Sequence, residues 1–174
     1  NNLTSFSGSN TNRKSYRNLI NFASKHYDLE TIISRDQFKM DEYRLFHSEV
    51  AGRTTRDARS WRVQENWVKN GTAFISECRF GGVLLGYSFV EIFGSRALYF
   101  SGVYSRDTKY KGISHACLNQ ACNFARKINL NTFELGQIAS SEDDNKLQNI
   151  AHFKVGFSNL LQLNSVLNIP VRNR

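Results

Sequence analysis

The sequence predicts a three-layer fold of the α+β or α/β class, and we expect helices on both faces of a mixed central sheet. Three consecutive strand patterns between residues 72 and 104 are separated by Gly81-Gly82 and by Gly94-Ser95. Turns this short join antiparallel neighbours, so the three strands are expected to form a meander. Amphipathic helical patterns precede and follow the meander, and another strand pattern lies between two of the later helices.

Each element is assigned from the spacing of its apolar residues and from capping or turn residues at its ends. The predicted elements are helix 13–25, strand 29–33, helix 36–52, a helix that begins after Thr55 or Asp57 and ends at 70, strands 72–79, 83–93 and 97–104, helix 114–128, strand 132–135, a helix from 141–144 to 153, and strand 160–167. Residues 1–12 are rich in Asn, Ser, Thr and Gly and are predicted to be a flexible lead-in. Residues 13–174 are expected to form a single domain.

The net charge of +8 favours anionic partners such as phosphates, nucleotides, nucleic acid or a membrane surface. A basic solvated surface is the alternative, and no run of five like charges marks a nucleic-acid arm. The apolar runs are much shorter than a membrane span, so no integral membrane segment is predicted.

The three cysteines are not spaced as metal ligands, and no metal site is predicted. Cys117 and Cys122 lie in an apolar helical pattern and are expected to be buried thiols. An odd number of cysteines also argues against a disulfide framework. Together these features favour a reducing compartment, most simply the cytoplasm.

Five separated segments resemble one known family. They are Arg13-Lys14-Ser15-Tyr16-Arg17-Asn18-Leu19-Ile20-Asn21-Phe22-Ala23, Phe46-His47-Ser48-Glu49-Val50-Ala51-Gly52-Arg53-Thr54-Thr55-Arg56, Tyr99-Phe100-Ser101-Gly102, Phe133-Glu134-Leu135-Gly136 and Phe153-Lys154-Val155-Gly156-Phe157. In this order they resemble the acyltransferase domain, of the GNAT fold, found in Fem-like and polysaccharide-cluster acyltransferases. Fem proteins usually carry two such domains in tandem, so the resemblance implies a possible N-terminal companion domain.

The resemblance implies transfer of an acyl or aminoacyl group to an amine of a cell-envelope or polysaccharide precursor. The donor would be acyl-CoA or aminoacyl-tRNA, used as a substrate, and no permanently bound cofactor is expected. Two other classes stay open: a non-catalytic binding module, as one half of a tandem protein, and a basic RNA-binding domain, for which no motif is present. The sequence does not indicate an oligomeric state.

In a GNAT fold the central meander strand and the next parallel strand splay apart, and the donor carbonyl lies in the gap. The resemblance therefore places Tyr99, Ser101, Gly102, Val103 and Tyr104 beside the chemistry, partly through backbone groups. Ordinary strand packing is the alternative for these side chains.

The loop before the next helix is the candidate site for donor phosphates, because helix N-terminal amides favour anions. It contributes positive charge from Arg106, Lys109 and Lys111, followed by Gly112 and by Ser114 as a possible cap. Only its last three residues fit the usual CoA-binding pattern, so a basic solvated loop is an equal alternative.

Candidate bases are His47, His115, Glu49 and Glu134. Histidine titrates near neutral pH and suits proton transfer, although a lone histidine is more often structural. Glu134 is expected at the C-terminal end of a strand, where α/β sites open, and Gln137 follows it as a substrate-binding candidate.

Arg53 and Arg56 are the best acceptor-binding candidates, because a guanidinium can bind a phosphate or carboxylate with two hydrogen bonds. Arg53 also suits a simple helix-end charge. Lys154 lies in the segment that the resemblance places near the cleft, where it would offset charge developing in the transition state. An exposed lysine is the alternative, and Trp61 is expected in the core.

Overall fold

The computed structural model describes residues 13–33, 40–138 and 145–158. In chain order the described elements are α1 (Lys14–His26), β1 (Asp28–Ile32), α2 (Met40–Ala51), α3 (Ala58–Lys69), β2 (Ala73–Phe80), β3 (Val83–Phe93), β4 (Arg96–Tyr104), α4 (Ile113–Lys127), β5 (Thr132–Glu134) and α5 (Asn145–Phe157). The predicted α+β fold is confirmed. The lead-in over 1–12, the strand over 160–167 and the predicted helix starts at 36 and 141–144 lie outside the described residues.

The strands form one mixed sheet in the order β1-β2-β3-β4-β5. The first four strands are antiparallel neighbours, and β5 pairs with β4 in parallel. Gly81 and Gly82 form the predicted turn with φ of 56° and 80°, and a tight two-residue hairpin turn of this kind needs two residues that tolerate positive φ. The meander is therefore confirmed as the centre of the sheet.

Helices cover the two faces of the sheet with separate cores. On one face α1, α4 and α5 pack around Leu118, Phe74 and Phe157. On the other face α2 and α3 pack around Trp61, Tyr87 and neighbouring side chains. Because β2 and β3 are covered on both faces, residues 73–78 and 84–90 are continuously buried, which explains the continuous apolar patterns of these strands. Cys117 and Cys122 are buried free thiols, as predicted.

The parallel ladder between β4 and β5 is short, since it joins only Arg96 to Thr132, Ala97 to Phe133 and Leu98 to Glu134. Beyond Leu98 the described chain supplies no strand partner on that side of β4. The β4 strand also contains an extra residue, Phe100, where its register with β3 shifts. Such a bulge twists a strand locally and re-aims its side chains. We call the gap between residues 99–104 and 135–138 the β4–β5 opening.

No helix in the described ranges combines the length and the apolar character needed to cross a membrane.

Candidate functional site

The ammonium group of Lys154 lies at the β4–β5 opening. Its Nζ donates a hydrogen bond of 2.8 Å to the backbone carbonyl of Gln137. A Cβ placed on Gly136 would lie 3.6 Å from this Nζ and 4.0 Å from the carbonyl oxygen of Tyr99. Gly136 has φ of 73°, a conformation that glycine adopts readily. The opening therefore brings together a positive charge, a bare glycine and the backbone of β4.

Aromatic packing on both sides of Lys154 fixes its position. Phe153 and Phe157 lie 6.3 Å and 5.2 Å from the ring of Tyr16 on α1. Gly156 presses directly on the Tyr16 ring, and any Cβ at that position would overlap it. The predicted Phe-Lys-x-Gly-Phe segment thus anchors α5 through three residues and leaves its lysine directed towards the opening.

Burial lowers the pKa of Lys154 from its usual value. An ammonium group has three N–H donors, and the carbonyl of Gln137 takes one of them. Preorganised donors beside a partly desolvated site stabilise negative charge more strongly than donors in water. Lys154 is therefore suited to stabilise an oxyanion that develops at the opening.

On the α4 side of β4, three hydroxyl groups form a chain. Tyr104 bonds to Ser88 at 2.8 Å and to Tyr99 at 3.0 Å. Burial raises the pKa of Tyr104 well above its usual value and that of Tyr99 to about 12. Gly102 lies against both tyrosine hydroxyls, with no room for a Cβ. These hydroxyls stay protonated at neutral pH and hold one another in place.

On the opposite face of the sheet, the guanidinium of Arg56 packs against two aromatic rings. Its guanidinium carbon lies 5.3 Å from the Trp61 ring centroid and 5.9 Å from that of Phe100, which is the bulged residue of β4. The Oε1 atom of the buried Gln64 is 3.5 Å from Nη1 of Arg56. Across the described ranges, no carboxylate forms a salt bridge with this guanidinium. Arg56 is thus held in place with its hydrogen-bonding capacity largely unused.

Two buried hydroxyl groups on this face have no hydrogen-bond partner among the described residues, those of Tyr87 and Ser101. Tyr87 is 2 % exposed, and burial raises the pKa of its hydroxyl while the charge of Arg56 acts in the opposite direction. Buried polar groups without partners are uncommon in folded proteins, and a ligand group is one way to satisfy them. Tyr87 was not singled out by the sequence, because every residue around it in β3 is buried.

His47 lies beside this arginine. Its Nδ1 is 3.0 Å from Oγ1 of Thr55, and its ring meets Trp61 edge-on at 5.3 Å. Burial, and secondly the charge of Arg56, lower the pKa of His47. The imidazole is therefore neutral at physiological pH and able to accept a proton from an acceptor amine on this face.

The predicted phosphate loop meets the start of α4 at Gly112, whose φ is 77° and which presses on the backbone carbonyl of Leu19. The prediction of Ser114 as a cap is wrong, because α4 begins at Ile113 and its N-cap is Gly112. Among the described residues no side chain caps α4, so its first-turn amides lack a side-chain acceptor there. Lys109 forms a 2.9 Å salt bridge with Asp107, and this salt bridge would have to break before Lys109 could bind a phosphate. Lys111 and Arg106 are exposed.

Several predicted site residues pack in a core, pair with another side chain or are exposed to solvent. His115 is enclosed by aromatic rings, with Tyr16 at 4.3 Å and Phe153 at 5.1 Å, and burial lowers its pKa to about 4. Ser114 contacts the imidazole of His115 at 3.3 Å. Glu134 is exposed and pairs with Arg96 at 3.3 Å. Val103 packs in the core on the α2–α3 side, and Arg53 and Glu49 are exposed.

No protein-family model matches this sequence, and no curated protein matches it. Solved structures do match. FemX is similar over 85 % of this chain and 54 % of its own, with a TM-score of 0.69 and 13 % identity. L-PGS from Bacillus licheniformis is similar over 82 % of this chain and 46 % of its own, with a TM-score of 0.61 and 16 % identity.

An aminoglycoside acetyltransferase from an uncultured soil metagenomic sample, solved with sisomicin, is similar over 84 % of this chain and 99 % of its own, with a TM-score of 0.62 and 7 % identity. These likenesses confirm the GNAT fold that the sequence motifs predicted. The chain spans about half the length of FemX and of L-PGS, and the full length of the acetyltransferase.

Proposed function

We propose that this protein transfers an acyl or aminoacyl group to an amine at the β4–β5 opening. The observation that carries the proposal is Lys154, whose partly buried ammonium group lies beside Gly136 and the backbone of β4. Nucleophilic attack by an amine on a carbonyl develops negative charge on the carbonyl oxygen. A fixed positive charge at this place lowers the energy of that intermediate.

The α2–α3 face supplies the acceptor groups in this proposal. Arg56 binds an anionic group of the acceptor, and the hydroxyls of Tyr87 and Ser101 complete its hydrogen bonds. His47 takes the proton from the attacking amine. The intermediate then collapses as the bond from the carbonyl carbon to the CoA sulfur or to the ribose oxygen of the tRNA breaks, and the released thiol or hydroxyl takes up that proton. In this arrangement the acceptor approaches from one face of the sheet, while the donor lies along β4 and reaches the start of α4.

The donor is the second part of the proposal. The uncapped amides of α4 and the charges of Arg106 and Lys111 suit phosphates of either acyl-CoA or the end of an aminoacyl-tRNA. The structural neighbours include a protein whose described partner is an aminoglycoside, and a FemX protein. The acceptor we propose is the amine of a cell-envelope or polysaccharide precursor that also carries an anionic group.

The test uses labelled acetyl-CoA and labelled alanyl-tRNA as donors, with a panel of amino sugars and peptide-bearing nucleotide sugars as acceptors. Substitution of Lys154→Met keeps the side-chain length and removes the charge. We expect a loss of about 10²- to 10³-fold in kcat, the range found when one oxyanion donor is removed. Lys127→Met, an exposed lysine at the end of α4, serves as the matched control and should leave kcat unchanged.

Equal activity of Lys154→Met and the native protein would contradict the oxyanion role. Saturable donor binding in calorimetry without any transfer, across both donors and the whole acceptor panel, would instead support a non-catalytic binding module. Binding of alanyl-tRNA without binding of acetyl-CoA would identify the donor class.

A further inference from the structure

A second surface feature lies at the tip of the β2–β3 hairpin, away from the opening. Phe80 and Val83 are the last cross-strand pair before the Gly81-Gly82 turn, and they are 52 % and 64 % exposed. Phe80 meets Tyr27 at 6.1 Å and Tyr110 at 6.2 Å. An exposed, contiguous apolar surface of this kind marks an interaction site more often than a scattered apolar residue does.

The apolar surface continues onto the end of α1. Phe22 is exposed, stacks on His26 at 4.1 Å, and lies 6.2 Å from Tyr27. We call the set Phe22, His26, Tyr27, Phe80, Val83 and Tyr110 the hairpin patch. It draws on three separate parts of the chain, so it is a feature of the folded molecule.

Basic residues border the hairpin patch. Lys109 lies 4.7 Å from the centroid of the Tyr110 ring, and the backbone N–H of Lys111 donates to the hydroxyl of Tyr27 at 3.1 Å. Lys25 precedes His26 at the exposed end of α1. Asp107 pairs with Lys109, and the exposed Asp28 follows Tyr27, so Lys25 and Lys111 are the border cations with no salt bridge among the described residues. The patch is therefore apolar at its centre and carries a small excess of positive charge at its edge.

We propose that the hairpin patch docks onto the surface of an anionic phospholipid bilayer. Phe80 and Val83 enter the boundary between headgroups and acyl chains, the hydroxyls of Tyr27 and Tyr110 stay at headgroup level, and the exposed Lys25 faces lipid phosphates. Tyrosine suits this position because one end of its side chain is apolar and the other polar. Basic side chains near an anionic bilayer add attraction that decays within a Debye length.

The shape of the patch favours a bilayer over a nucleic acid. Base stacking needs open ring faces, whereas Phe22 and His26 already cover one another at an interplanar angle of 17°. Phe80 meets Tyr27 edge-on at 86°, and the most exposed side chain, Val83, has no ring. An apolar tip that projects from a tight turn instead suits shallow insertion into a lipid surface.

The experiment is co-flotation of the protein with vesicles of phosphatidylglycerol and phosphatidylcholine, compared with vesicles of phosphatidylcholine alone. We expect binding to the anionic vesicles only, and weaker binding at higher salt. The double substitution Phe80→Ser with Val83→Ser should reduce the vesicle partition coefficient about tenfold or more, because two apolar side chains no longer leave water.

The matched control is Phe93→Ser. Phe93 is 67 % exposed at the opposite end of β3, outside the hairpin patch, so its loss should leave vesicle binding unchanged. Circular dichroism and thermal unfolding check that all variants fold.

Three results would overturn the proposal: no binding of the native protein to anionic vesicles, an equal loss in Phe93→Ser, or unchanged vesicle binding in the double variant. If the double variant kept vesicle binding but lost binding to a single-stranded RNA oligonucleotide, the hairpin patch would be an RNA-binding surface. If it kept vesicle binding but lost self-association in sedimentation, the patch would be an interface between two copies of the chain. These readings do not depend on transfer activity, so the proposed function can fail separately.

Discussion

The polar side chains on the two faces of β3 and β4 differ in their hydrogen bonding. On the α4 side, the hydroxyl of Tyr104 forms hydrogen bonds with the hydroxyls of Ser88 and Tyr99. On the α2–α3 side, the hydroxyls of Tyr87 and Ser101 have no partner in the described ranges. Both sets are buried within the same pair of strands. Within β3 and β4 the two sets therefore differ in their hydrogen bonds and not in their burial.

The largest expected effect is a loss of stability when a methyl group is added on the α4 side of the sheet. Gly102→Ala places a methyl group against the hydroxyls of Tyr99 and Tyr104 and should destabilise the fold by about 3 kcal/mol, at the upper end of overpacking costs. Urea unfolding measures the change. Ser101→Ala, at the adjacent position facing the other side, is the control and should change stability little, because its hydroxyl forms no hydrogen bond with any described residue. Similar losses in both variants would remove the distinction between the faces.

The second effect concerns His115, the enclosed histidine of the α4 side. Burial lowers its pKa to about 4 in the folded protein, whereas in the unfolded chain it titrates near its usual value of about 6.5. As pH falls from 7 to 5 the unfolded state gains a proton that the folded state does not, so stability decreases. Allowing for the partial exposure of the ring, the difference is about 2 kcal/mol or less.

His115→Phe should remove that part of the pH dependence while keeping the packing of rings around Tyr16. Urea unfolding at pH 7 and pH 5 compares the two proteins, and contributions from other groups such as His47 cancel in the difference. An unchanged pH dependence in the variant would show that His115 is charged or exposed in the native state.

The third effect is on acceptor binding at the α2–α3 side of the sheet. Arg56→Ala should raise the KM for an anionic acceptor about tenfold with a smaller change in kcat, since the arginine binds a group that does not react. Arg59→Ala, exposed on the first turn of α3, is the control for general loss of positive charge. Equal KM changes in the two variants would indicate only long-range attraction.

The smallest effect compares two tyrosines across the strands. Tyr104→Phe removes two hydrogen bonds and should cost about 1 to 1.5 kcal/mol of stability. Tyr87→Phe removes a hydroxyl with no partner and should be neutral or slightly stabilising. The pair is measured by thermal unfolding under identical conditions. A destabilised Tyr87→Phe would reveal a partner from outside the described residues.

Most of the fold could be predicted from local patterns. Each described helix and strand matches a predicted element to within a few residues, because Gly81-Gly82, Asp57 and Gly52 define ends by their own backbone or capping preferences. The mixed sheet followed from the meander and the helix between the last two described strands.

The site was only partly predictable. Lys154 was found through its motif, and Arg56 through the chemistry of its guanidinium. The packing of Arg56 against aromatic rings depends on Phe100, and the bulge at Phe100 has no local signal in the sequence. The contrast between Tyr87 and Ser88 was also hidden, since neighbouring residues of a strand buried on both faces look alike in a hydropathy pattern. His47 and His115 differ only in their tertiary surroundings.

The contact between Gly156 and Tyr16 has a consequence for how this protein can vary. Two residues along α5 from that contact, the ammonium group of Lys154 is held within 2.8 Å of a single carbonyl. A methyl group at Gly156 would push the helix outwards by roughly the width of a carbon atom, enough to carry the amine beyond hydrogen-bonding reach. The lack of a side chain at Gly156 thus determines whether the ammonium group of Lys154, on the same helix, can form its hydrogen bond. Chains that keep the lysine but enlarge this glycine should retain the fold and lose the alignment.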